Sequence, residues 1–164
     1  MGEIVTKLDL ENYDDRVLAR TGYMSTDAIR RRTVNAVVAT GAVMLVLPQD
    51  VVDVLGLQTD RTVIVAYADE RKEERPVAGP VRVTVAGRSM TTECVVGPPL
   101  SEPLIGQIIL EELDLLADCQ RKTLTPRPES PNFPLLKLDI IGNNFLVHAK
   151  TLRCQNRAKE NVTT

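Results

Sequence analysis

The sequence predicts a mainly β domain, closed or barrel-like, with two short helices, and three observations carry that prediction. Apolar residues alternate with polar ones in several short runs, the period of a half-buried strand. Turn signals, chiefly glycine, proline and charged clusters, separate these runs at short intervals. Only two stretches show the spacing of an amphipathic helix, and 164 residues suffice to bury one real core around the strands.

In chain order, Ile4, Thr6, Leu8 and Leu10 alternate with more polar residues and predict a first strand. Asp14 to Arg32 is more polar, and Ser25 is placed to cap a short helix within it. A strand follows with Val34, Ala36 and Val38 on one face, broken at Ala39-Thr40-Gly41-Ala42 and resumed as an apolar run to Pro48. The stretch "LPQDVVDVLGL" then reads as a helix: Pro48 at its first position, Val51, Val52 and Leu55 as its apolar stripe, Gly56 at its end. Thr62 to Tyr67 is a strand, "ADERKEER" a polar hairpin tip leading to a returning strand, and "PVRVTVAG" and "SMTTECVVG" two more strands joined at Gly87. After the loop "GPPLSEP", an amphipathic helix runs from Gly106 to about Leu113, and the short segments "LLAD" and "RKTLTP" complete the body.

Four prolines in the nine residues 126–134 mark a change of composition. Residues 1–127 are therefore read as the folded domain and 128–164 as a Pro-rich linker and C-terminal extension, with a hairpin expected in "LLKLDII" and "FLVHAKTL" before a polar terminus.

Composition excludes several functions. Twenty Lys and Arg balance 22 Asp and Glu, so no basic field favours nucleic acid or an anionic membrane. Two Phe, three Tyr and no Trp offer no stacking platform for bases. No run approaches the roughly 20 apolar residues of a membrane span, the first residues lack a hydrophobic signal region, and Cys94, Cys119 and Cys154 are odd in number and widely spaced. A soluble cytoplasmic protein without a disulfide framework or zinc site is expected, and neither metal nor cofactor enters the reading.

Three pieces in order then become specific: Ala39-Thr40-Gly41-Ala42 between apolar runs, Leu47-Pro48 with its helix, and Leu104-Ile105-Gly106 opening a second helix. Over residues 1–127 this order resembles the retropepsin-like aspartic proteases, in particular their small single-domain bacterial members. The resemblance implies an acid-protease fold in which position 39 is that of the catalytic aspartate, Thr40 the hydroxyl residue bonding across a dimer axis, and Gly41 the glycine that lets substrate approach. One such loop per chain implies a homodimer that cleaves extended peptides, two carboxylates sharing a proton and activating water. Ala42, Ile105 and the hairpin tip Tyr67-Ala68-Asp69-Glu70 would bind substrate, the hairpin acting as a flap. Val38, Val43 and Leu47 would lend apolar support. The tip, unlike that of retroviral proteases, contains no glycine.

The chain departs from the family where its chemistry resides. Ala39 has no carboxylate, and the neutral hydroxyl of Thr40 is a poor base, so this chain is expected to be inactive. Two origins compete: an Asp→Ala replacement, favoured because the surrounding pattern is intact, and a natural pseudoprotease, which would be a non-catalytic dimeric peptide- or protein-binding module. "SPNFPLL" resembles an aromatic-proline cleavage site, with self-cleavage between Phe133 and Pro134; an incidental phenylalanine in a linker is the plainer reading. His148, Asp50, Asp53 and the Glu111, Glu112, Asp114 cluster read as structural or solvated residues. Asp118 ends an apolar run with no Thr-Gly after it, and buried inert thiols are the default for Cys94 and Cys119.

Overall fold

The period-2 segments do form strands, and the strands close on one another. A computed structural model describes residues 3–138. In it β1 (Val5–Asn12) pairs antiparallel with β2 (Arg31–Val38) on one side and with the distal part of β5 (Lys72–Val85) on the other. From β5 the ring continues through β6 (Arg88–Gly97), β3 (Leu45–Pro48) and the two-residue β7 (Leu104–Ile105) back to β2. Six strands thus make a ring-like mixed sheet, with β2–β7 and β3–β6 parallel and the other contacts antiparallel. The seventh strand of the sheet, β4 (Gln58–Ala66), pairs among the described residues with β5 alone.

Alternation decides what fills the ring. Leu8 and Leu10 of β1, Ala36 of β2, Leu45 and Leu47 of β3, Val81, Val83 and Val85 of β5, and Cys94 and Val96 of β6 belong to one buried cluster. Helix α2 (Gln49–Leu55) adds its predicted stripe Val51, Val52 and Leu55 to it, and α3 (Gln107–Glu112) adds Ile109 and Leu110. Gly56 ends α2 at φ 64°, the left-handed cap that glycine adopts without a Cβ penalty. A separate hairpin, β8 (Leu115–Asp118) and β9 (Thr123–Pro126), follows α3.

Several boundaries differ from expectation. Among the described residues there are three α-helices rather than two: α1 (Tyr13–Arg20) lies in the stretch read as polar. Its start is set by Asn12, whose Oδ1 accepts from the Asp15 amide at 3.1 Å while its Nδ2 donates to the Leu55 carbonyl at 2.8 Å. That second bond is tertiary and leaves no periodic trace. Ser25 precedes only a single 3-10 turn (Thr26–Ala28) and makes no side-chain cap. Pro48 closes β3 rather than opening α2. The returning strand and "PVRVTVAG" are one strand, β5, whose register shifts between Ala78 and Val81, where Gly79-Pro80 interrupts the pairing.

The Pro-rich stretch is docked where it leaves the body. Asp114, grouped with the solvated acids from sequence, is 7% exposed and accepts from Arg127 Nε at 3.0 Å, from the Ser130 hydroxyl and from the Leu135 amide at 3.1 Å. Buried Arg88 donates to the carbonyls of Leu113, Asp114 and Ser130. The 127/128 boundary therefore falls within a segment hydrogen-bonded to the ring. Leu135 to Leu138 carry no strand; most of the expected C-terminal hairpin, with His148 and Cys154, lies outside the described residues.

Candidate functional site

The fold places the Ala-Thr-Gly turn at a junction of three elements. The chain leaves β2 at Val38, turns through residues 39–44 and returns as β3, while β7 inserts between the two arms: Val37 lies opposite Leu104 in parallel register, and Val46 opposite Leu104 in antiparallel register. Ala39 N–H donates to the Ile105 carbonyl at 2.9 Å, and Ala42 N–H closes the turn on the Ala39 carbonyl at 3.0 Å. Ile105, singled out from sequence, is thus fully buried and serves the turn through its backbone.

The far side of the turn is tied to α3. A helix start leaves backbone N–H groups without intrahelical partners, and the N-cap of α3 is Gly106, which has no side chain to supply one. The turn supplies them: Gln107 N–H donates to the Ala42 carbonyl at 2.7 Å and Ile108 N–H to the Val43 carbonyl at 3.0 Å. A Cβ on Gly106 would lie 2.4 Å from the Met44 carbonyl oxygen and 2.8 Å from the Met44 and Val43 carbonyl carbons, so only glycine lets the helix start sit against this backbone. Gly41 faces the opposite situation: a Cβ there meets nothing within 4 Å.

The turn therefore holds Ala39 and Ala42 half-buried and displays Thr40 and Gly41 to solvent. Among the described residues, no side chain hydrogen-bonds to it and no group of acidic, Cys or His residues is arranged to hold a metal. With a methyl at position 39 the turn presents backbone, the Thr40 hydroxyl and the exposed side chain of Val43, which was expected to lend apolar support, and carries no acid or base. Thr40 opens onto a groove of about 1090 Å3 whose walls include Gln107, Ile108, Leu116, Leu135 and Leu138.

The hairpin tip read as a flap extends past the ring. Residues 72–76 of β5 pair only with β4, because pairing to β6 begins at Val77. At the tip, Tyr67 N–H donates to the Arg71 carbonyl at 2.9 Å, and Glu70 takes φ 65° where a glycine is usual. Tyr67 is held by the Arg71 guanidinium 4.7 Å above its ring and by its hydroxyl bond to Glu73 at 2.8 Å. Ala68 and Asp69 are exposed, and Asp69 turns inward on the tip to accept from the Arg71 amide at 3.2 Å. Among the described residues no hydrogen bond or ion pair joins this tip to the Ala39 turn.

Other candidates have structural roles. Asp118 accepts from the amides of Gln120 and Arg121 and shapes the β8–β9 turn. Asp50 accepts from the Leu100 amide at 2.8 Å, and Asp53 from the Gln49 side chain at 2.8 Å. Cys94 is buried, and burial pushes its thiol up to about 12, an inert state, whereas Cys119 is exposed. Phe133 is 81% exposed, in a short loop between the Ser130 and Leu135 anchors.

No protein-family model matches this chain, and no curated protein matches it.

Proposed function

We propose that this chain is the subunit of a homodimeric aspartic endopeptidase of the retropepsin-like kind, catalytically silent because Ala39 occupies the place of the acid. One observation carries the reading: a Thr-Gly turn locked by Ile105, Gly106 and the first amides of α3, so that the residue at position 39 is held in place by main chain alone. Such rigidity suits a group whose placement sets the rate. The ring-like β fold and the projecting hairpin support it further.

A carboxylate at position 39 has no partner in its own chain, since no second Asp-Thr-Gly or Asp-Ser-Gly occurs. Two subunits would bring two such groups together, one ionised to take a proton from water, the other protonated to polarise the scissile carbonyl. An extended peptide would lie between them, held by sheet-like main-chain bonds. Losing general acid and base together costs at least the ~10²–10⁴-fold that each role contributes.

The experiment restores the acid. Ala39→Asp should produce peptide hydrolysis in mildly acidic buffer, inhibited by a statine-type transition-state mimic, and mass spectrometry should find self-cleavage between Phe133 and Pro134. A restored dimer that cleaves no peptide would sink the protease reading. Ala39 itself favours a second reading, a dimer that binds peptide without cutting it; an alanine codon at position 39 in the genome would select that one.

A further inference from the structure

The outer face of the ring holds a cluster of arginines that the protease reading does not use. Antiparallel register aligns Arg31, Glu11 and Arg82 in one cross-strand row, and Thr33, Asp9, Thr84 and Ser89 in the next. Arg16 of α1 reaches over the same rows to Glu11. Arg32, which lies opposite the buried Leu10 in the intervening row, lines with them a depression of about 320 Å3.

The charge there opposes that of the whole protein. Four arginines line the depression against two carboxylates, whereas the chain carries a net −2. Both carboxylates are already engaged: Glu11 accepts from Arg16 at 2.8 Å and from Arg31 at 2.7 Å, and Asp9 accepts from the Thr33 hydroxyl at 2.6 Å. Arg32 and Arg82 have no hydrogen-bond acceptor or ion-pair partner among the described residues. The hydroxyls of Thr84 and Ser89 share a single bond of 2.7 Å, which uses one of their two protons and leaves the other for a ligand.

We propose that this depression binds a phosphate-class oxyanion, free or as the terminal ester of a small molecule, with Arg82 and Arg32 as its principal ligands. Guanidinium forks match tetrahedral oxyanions with paired, charge-assisted hydrogen bonds. Glu11 fixes Arg16 and Arg31 in place without exhausting their donors, since each guanidinium carries five. The hydroxyls of Thr84 on β5 and Ser89 on β6 complete a donor-rich wall.

The test is an NMR titration of the full chain with inorganic phosphate and, in a second arm, phenyl phosphate, each against chloride at matched ionic strength. Saturable shifts at the Arg Nε–H groups and at the amides of residues 31–33 and 82–84 are expected, with Kd on the order of 1 mM. Stronger binding of phenyl phosphate identifies the ester as the ligand; equal binding identifies the free anion. The double variant Arg32→Ala/Arg82→Ala should weaken binding about tenfold or more, and Arg82→Lys should recover only part of it. Shifts that chloride reproduces, or an affinity unchanged in a folded double variant, overturn the proposal. Should the double variant not fold, phosphate protection of Arg82 and Arg32 in the unaltered chain from phenylglyoxal decides, and absence of protection overturns it.

Discussion

Gly106→Ala is the most direct perturbation of the candidate site. The new methyl would sit 2.4 Å from the Met44 carbonyl oxygen, so the turn or the helix start must retreat by roughly 0.6 Å to reach even a tight 3.0 Å contact. The atoms in the way are backbone, so no side-chain rotation relieves the clash. Overpacking of this kind costs about 1–3 kcal/mol. Retreat also stretches the bonds from Gln107 and Ile108 to Ala42 and Val43, each contributing about 1 kcal/mol. A total near 3 kcal/mol corresponds to a Tm lower by about 6–12 °C for a chain of this size. Urea and thermal unfolding followed by circular dichroism would measure it, with Gly41→Ala as the internal control. That control adds its methyl to open space and should change stability by less than about 0.5 kcal/mol. Equal stabilities for the two variants would refute the locked-turn argument. In the Ala39→Asp background, Gly106→Ala should also abolish hydrolysis at temperatures where the chain remains folded.

Two further outcomes follow from buried polar groups. Asn12→Ala removes the cap of α1 and strands the buried Leu55 carbonyl, so unfolding free energy should fall by about 2–3 kcal/mol, read from urea midpoints at constant m-value. The Asp114 carboxyl is held down at about 2, first by the Ser130 hydroxyl and then by the Leu135 amide, despite some opposing burial. Because its folded pKa lies below the ordinary 3.8, its stabilising contribution is complete above about pH 4 and is lost as pH falls toward 2. Protection factors at Ser130 and Leu135, which remove the intrinsic pH dependence of amide exchange, should fall in that window, and Asp114→Asn should remove this fall; protection unchanged from pH 4 to 2 would refute the anchoring role.

Local chemistry made much of this protein legible. The stripe Val51, Val52 and Leu55 with its glycine stop marked α2, because a 3.6-residue period and a left-handed cap leave traces in neighbouring residues. Alternation marked the strands for the same reason. Helix α1 was missed because Asn12 is anchored to Leu55, forty-three positions away, and Asp114 was mistaken for a solvated acid because its partners come from residues 127–135. The Ala-Thr-Gly turn was found as a motif, but its rigidity was not, since that depends on helix amides and on the absence of a Cβ sixty-five residues further along the chain.

By itself, then, the sequence determined most of the strands, the turn with alanine at position 39, α2 and α3, all properties of contiguous residues and their periods. Only the tertiary structure decided that β7 enters between β2 and β3, that Gly106 must be glycine, and that four arginines from α1, β2 and β5 line one depression. Those depend on strand register and on contacts between distant segments, and no local pattern of residue types encodes either.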